Sequence, residues 1–131
     1  TSNPNRLNKS SLDRGDHHIS MDGREVFRHA VKRFPEAINE ALEYNNLSTN
    51  DIDLIIPHQA NMRISDAIKK KMKLPDNKIY NNIHKYGNTT AASIPIALSE
   101  AKNEGLIKNN DTIIFAAFGS GFMWASAIMK W

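Results

Sequence analysis

The sequence predicts an α/β fold with a mixed sheet flanked by helices. Three observations carry that reading. Short apolar runs, Leu54-Ile55-Ile56 and Ile113-Ile114-Phe115-Ala116-Ala117, are bounded by turn residues and read as buried strands. Segments of helical periodicity separate them. The turn Gly119-Ser120-Gly121 is too short for a crossover, so the two strands it joins should run antiparallel.

Taken in order, residues 1–23 are polar, with Pro4, Gly15 and Gly23 and few apolar groups, and read as a long loop or ordered arm. The adjacent His17 and His18 would point to opposite faces of an extended chain, which makes a poor chelating pair. With no Cys or third ligand nearby they are expected to be solvent-exposed. From Arg24 the period changes: Val26, Phe27, Ala30, Val31, Phe34, Ala37, Ile38, Ala41 and Leu42 recur at helical spacing. Pro35 removes one backbone donor and crowds the carbonyl of Val31, predicting a kink or two abutting helices. Asn45-Asn46 end the segment. Ser48 and Asp51 have capping-box spacing, enough for one short turn.

Asp53 to Pro57 is the first strand. Asn61 can cap the next helix, which turns Met62, Ile64, Ala67, Ile68 and Met72 inward. Lys69-Lys70-Lys71 lie near its end, where they complement the helix dipole, and Leu74-Pro75-Asp76-Asn77 ends it. Lys78 to Ile83 reads as a weaker strand, because Asn81 and Asn82 are poor strand formers. A third helix runs from about Thr90 to Glu104, with Gly105 as its cap and Pro95 in or near its first turn. Its opening, Thr89-Thr90-Ala91-Ala92-Ser93, is small enough for close approach to another backbone, so the helix should be buried. Thr112 to Phe118 and Phe122 to Lys130 complete the sheet. No repeat and no low-complexity tract interrupts the order.

At 131 residues the chain is one domain or part of one. Hydrophobic residues at 40% and charged residues at 24% are ordinary for a globular protein, which argues against a disordered or fibrous chain. No run is long and apolar enough to span a membrane, and no apolar signal core is present, so a cytoplasmic location and no membrane partner are expected. The absence of cysteine excludes disulfides, thiolate zinc sites and a Cys nucleophile from this stretch. No metal site and no cofactor are expected. A net charge of +3 permits an acidic partner. Nucleic-acid modules carry denser basic and aromatic signatures, so no nucleic-acid partner is expected.

The chemistry concentrates in three loops: Pro57-His58-Gln59-Ala60-Asn61, Tyr86-Gly87-Asn88-Thr89-Thr90 and Phe118-Gly119-Ser120-Gly121. Each follows a strand-like segment, and in open α/β sheets functional groups gather beyond the carboxyl ends of parallel strands. His58 and Asn88 can both donate a hydrogen bond while neutral. Two such donors aimed at one point suit a developing enolate or tetrahedral oxyanion. The Gly-rich turn can add a backbone N–H. The plain alternative is a surface or satisfied core His, and an Asn that belongs to a turn.

His58-Gln59-Ala60-Asn61-Met62-Arg63-Ile64, Gly87-Asn88-Thr89-Thr90-Ala91-Ala92-Ser93 and Gly119-Ser120-Gly121-Phe122-Met123-Trp124 closely resemble the beta-ketoacyl-acyl carrier protein synthase III family. The resemblance runs from about Ile19-Ser20-Met21 to Trp131. It implies the C-terminal half of a thiolase-like fold over residues 24–131, as part of a longer condensing enzyme. Such an enzyme joins acyl-CoA and malonyl-acyl carrier protein by decarboxylative Claisen condensation to initiate fatty acid synthesis. The family's triad is Cys-His-Asn. By motif, His58 and Asn88 match its His and Asn, which stabilise the enolate. Ser120 falls in the oxyanion-hole turn, where a Ser would tolerate positive φ less well than Gly.

By the same resemblance Phe27, Asn61 and Phe118 fall where the family lines its pantetheine and CoA tunnel, though Phe27 and Phe118 suit a core equally. Arg63 matches a carrier-protein docking residue, and Arg28, Lys70 and Lys71 match basic positions on the same face. The nucleophilic Cys belongs to the family's first half, outside this sequence. A further strand is expected just before residue 1, central in the half-domain's sheet. This chain alone should not catalyse acyl transfer, and the whole enzyme is expected to be a homodimer. Two other readings stay open: a related thiolase-superfamily acyltransferase of secondary metabolism, or a non-catalytic interaction domain of the same fold.

Overall fold

The computed structural model describes residues 8–18 and 20–131. Pro4, with the rest of residues 1–7, and Ile19 at the start of the matching stretch lie outside the described residues. The remainder of the polar arm holds a short helix, α1 (Lys9–Asp13), closed by a capping box in which Asn8 Oδ1 accepts the Ser11 N–H at 2.9 Å. His17 and His18 are exposed, as expected.

Helix α2 (Gly23–Tyr44) starts where Asp22 Oδ1 accepts the N–H groups of Arg24 and Glu25. It runs unbroken through Pro35, so the pair of abutting helices is set aside. Asn45 caps it and Asn46 turns at φ +54°. Ser48 and Asp51 form the expected capping box around one 3-10 turn.

The sheet has three strands in the order β1 (Leu54–Pro57), β2 (Thr112–Gly119), β3 (Met123–Lys130). β1 and β2 are parallel, with Leu54 opposite Ile113 and Pro57 opposite Ala116. β2 and β3 are antiparallel, with Thr112 opposite Lys130 and Gly119 opposite Met123. Two expectations are corrected here. Lys78–Ile83 is not a strand: only Ile79 bridges β1, at Ile55, and the chain then enters the short helix α4 (Ile83–Tyr86). The reason lies in Asn81 and Asn82, because Asn82 turns its side chain inward to Glu100 instead of continuing a ladder. The further strand expected just before residue 1 has no central place to fill, since β1, β2 and β3 pair directly in that order. Among the described residues the outer side of β3 has no partner strand, and the outer side of β1 has only the bridge to Ile79.

Helices cover both faces of the sheet in three layers. Strand alternation sorts the side chains. Ile55, Ile114, Ala116 and Phe118 meet α2 and the helix α3 (Met62–Met72) through Phe34, Ile38, Ile64 and Ile68. Leu54, Ile56 and Ile113 meet helix α5 (Ser93–Asn103) through Ala97 and Ala101. Each fully buried Ile or Phe adds about 1.5–3 kcal/mol to the hydrophobic term. A 3-10 turn, Thr90–Ala92, leads into α5, and Gly105 ends it at φ +73°, a conformation that favours glycine.

Candidate active site

A cleft of about 920 Å3 opens at the carboxyl edge of β1 and β2. His58, Asn88, Ser120, Phe27, Asn61 and Phe118 all line it. The three loops therefore converge, although Ser120 lies 62 positions beyond His58 in the chain.

His58 stands one residue beyond β1. Its N–H donates to the Ala116 carbonyl at 2.8 Å, so the ladder extends one step and fixes the backbone. Its Nδ1 lies 2.6 Å from Ser93 Oγ. Burial pushes its pKa below the ordinary imidazole value of 6.5, so the ring is neutral at pH 7.

Asn88 follows α4 and Gly87, whose φ of +69° suits glycine. Asn88 Oδ1 accepts the Thr90 N–H at 2.9 Å. That bond assigns the oxygen end of the amide and leaves the NH2 end without a partner among the described residues. The side chain is thus a neutral donor on the cleft wall.

The turn after β2 is exposed. Its left-handed position is Gly121, at φ +144°, where a Cβ would come within 2.7 Å of Met123 Cγ. Ser120 is not in that region, so the anticipated strain falls on a residue that tolerates it. Ser120 is an exposed residue of the cleft lining.

Around these groups, Phe118 is a core residue that also reaches the cleft. It is 7% exposed within the core, stacks on Phe122 at 5.1 Å between ring centroids, and still contributes to the cleft. Phe27 is half-buried between α2 and α3 and lies under the Arg63 guanidinium, 5.5 Å from ring centroid to Cζ. Asn61 caps α3 by accepting the Arg63 N–H at 3.0 Å. Arg28 is exposed and paired with Glu25 on its own helix. Lys70 and Lys71 are exposed on α3 away from the cleft lining. Lys70 lies seven positions after Arg63, two helical turns or about 10 Å, which puts both on one side of α3. Lys69 is instead tied to Asp76 at 2.6 Å. Among the described residues no three His, Asp or Glu side chains are grouped to hold a metal.

Two supporting residues escaped the sequence reading. Gln59 is 2% exposed, with Nε2 donating to the carbonyls of Pro57 at 2.8 Å and Tyr80 at 3.3 Å, and Oε1 accepting the Asn82 N–H at 3.0 Å. Asn82 passes the tie to Glu100 Oε2 at 2.8 Å, and Tyr86 OH donates to Glu100 Oε1 at 2.7 Å. These donors, Tyr86 first, hold the Glu100 carboxyl down at about 2. The segment carrying Asn88 is thereby anchored to both β1 and α5. The second residue is Ser93, bonded to His58 and 2% exposed. A polar residue adjoining a candidate catalytic His was the available signal for Gln59. Ser93 sat in a small-residue run whose only evident meaning was close packing.

Residues 42–131 match the family described as 3-oxoacyl-[acyl-carrier-protein (ACP)] synthase III C terminal. The beta-ketoacyl-[acyl-carrier-protein] synthase III of Caldanaerobacter subterraneus is 50% identical over 121 residues, covering 92% of this chain and 37% of that protein. The solved beta-ketoacyl-[acyl carrier protein] synthase III of Thermus thermophilus is 45% identical with a TM-score of 0.84, over 86% of this chain and 35% of that one. The 3-oxoacyl-[acyl-carrier-protein] synthase III of Aquifex aeolicus VF5 is similar at 45% and 0.84, over 87% of this chain and 37% of that one. The chain therefore spans little more than a third of the length of such relatives.

Proposed function

The chain belongs to the 3-oxoacyl-[acyl-carrier-protein] synthase III family and has the C-terminal half of its thiolase-like fold, and from that premise we propose that it supplies the enolate-stabilising side of a condensing active site. One observation carries the proposal: two neutral donors, His58 and the Asn88 amide, share a cleft wall with an exposed Gly-rich turn.

In the proposed reaction an acyl group from acyl-CoA is first held as a thioester on a Cys in the remaining part of the enzyme. Malonyl-acyl carrier protein then enters. Its carbon–carbon bond to the carboxylate breaks, carbon dioxide leaves, and the electron pair stays as a thioester enolate. His58 and Asn88 donate hydrogen bonds to the enolate oxygen and lower the barrier to its formation. The enolate carbon attacks the acyl carbonyl, and the Ser120 N–H steadies the tetrahedral oxyanion. Collapse expels the Cys thiolate and yields the 3-oxoacyl-carrier protein. No metal or redox cofactor has a step in this scheme.

Phe27, Asn61 and Phe118 would guide the pantetheine arm. Arg63, with Arg28, Lys70 and Lys71, would receive an acidic carrier protein, since complementary charge raises the encounter rate. A homodimer in the cytoplasm completes the proposal. The test is the intact enzyme with His58→Ala, assayed separately for acyl adduct and for condensed product. Loss of product with retained adduct supports the division of labour; equal loss of both contradicts it.

A further inference from the structure

The role proposed for His58 depends on which ring nitrogen carries its proton. Ser93 decides that. It opens α5 with its side chain buried against the end of β1. Its Oγ lies 3.2 Å from the Gln59 backbone nitrogen and 2.6 Å from His58 Nδ1. The Gln59 N–H can only donate, so Oγ accepts from it. The hydroxyl proton then has one acceptor in reach among the described residues, His58 Nδ1. The opposite arrangement, Nδ1–H donating to Oγ, leaves a buried hydroxyl proton unpaired. It also presents a lone pair at Nε2 to the cleft, where an enolate oxygen would be repelled.

We propose that Ser93 is a positioning residue whose hydroxyl donates to Nδ1 and holds His58 as the Nε2–H tautomer, a neutral donor facing the cleft. The inference rests on the reading of His58 as an enolate-stabilising group and adds the element that sets its polarity. It also gives one short segment two orienting tasks. Thr90 sets the Asn88 amide by its N–H, and Ser93, three residues on, sets the His58 ring by its hydroxyl. The competing role for Ser93 is only to satisfy the Gln59 N–H, which would leave the His58 tautomer and the rate of condensation untouched by its loss.

The test uses the intact enzyme with 15N-labelled histidine, with the His58 signals assigned by their disappearance in His58→Gln. The wild-type spectrum should show an unprotonated Nδ1 and a protonated Nε2. In Ser93→Ala the ring should populate both tautomers. Its kcat for condensation should fall roughly ten-fold, the scale of one neutral hydrogen bond, while acylation by acyl-CoA and KM for the malonyl thioester are unchanged. A wild-type Nδ1–H tautomer overturns the proposal, and that spectrum decides even if the alanine variant folds poorly. A Ser93→Ala enzyme that keeps both tautomer and kcat also overturns it. Failure of the underlying reading has a different signature: His58→Ala condensing at full rate, whatever the tautomer.

Discussion

Replacing Asn88 separates the proposed donor from the turn former, because the side chain that would donate also holds the Thr90 N–H. Oδ1 holds the Thr90 N–H at 2.9 Å, which leaves the NH2 end of a cleft-lining residue without a partner among the described residues. Asn88→Ala in the intact enzyme removes both. Losing one oxyanion donor costs about 3–4 kcal/mol, or roughly 10² to 10³ in kcat. Asn88→Asp keeps the bond to Thr90 and the shape of the side chain, but sets a carboxylate oxygen where the donor was. A carboxylate about 4 Å from the enolate oxygen adds a repulsion of about 4 kcal/mol at an effective dielectric of 20. The aspartate variant should therefore condense no faster than the alanine variant despite the better-preserved turn. Single-turnover assays should follow acyl adduct by intact mass and 3-oxoacyl product by chromatography. Both variants should acylate normally. An aspartate variant near wild-type condensation would show that Asn88 matters only for its turn, and the donor argument would fail.

Three further outcomes are expected. Arg63→Glu should raise KM for malonyl-acyl carrier protein far more than for acyl-CoA, with added salt shrinking the difference; an unchanged carrier-protein KM would remove Arg63 from the docking face. Gln59→Leu strips the Asn82 N–H of its buried partner and should destabilise the enzyme by about 1–3 kcal/mol in denaturant titration; an unmoved midpoint would contradict the anchoring role given to Gln59. The folded-state pKa of His58 lies below its ordinary 6.5 because of burial, so below pH 6.5 the unfolded chain takes up more protons. Its contribution to stability is complete above pH 6.5 and is lost as pH falls through the lowered value. His58→Gln should flatten that part of the stability profile, and an unchanged slope would show that His58 is not held neutral by the fold.

Much of this architecture is local and was therefore legible. The runs at Leu54–Pro57 and Thr112–Phe118 carry strand propensity along their whole length, and Asp22, Ser48 and Asn61 cap through bonds two or three residues away. The segment 78–83 was misread because its fate depends on Glu100 and Gln59, which are distant in sequence and invisible to periodicity. The central place expected for a further strand does not hold for a related reason: strand order is a tertiary property, and β1, β2 and β3 pair directly in that order. At the site, His58 and the Gly-rich turn do stand after strands, whereas Asn88 was singled out by residue type behind a segment that is not one and follows α4 instead. The bond from Ser93 to His58 spans 35 residues, and no spacing rule announces it.

In the proposed mechanism His58 and Asn88 serve enolate formation and not acyl transfer. Carbon dioxide release from malonyl-acyl carrier protein, measured without any acyl-CoA, isolates that step. In the intact enzyme His58→Ala should lower the release rate by roughly 10² to 10³, while the same preparation given acyl-CoA alone still forms its acyl adduct. Release at the wild-type rate, or an adduct lost in equal measure, would contradict the claim.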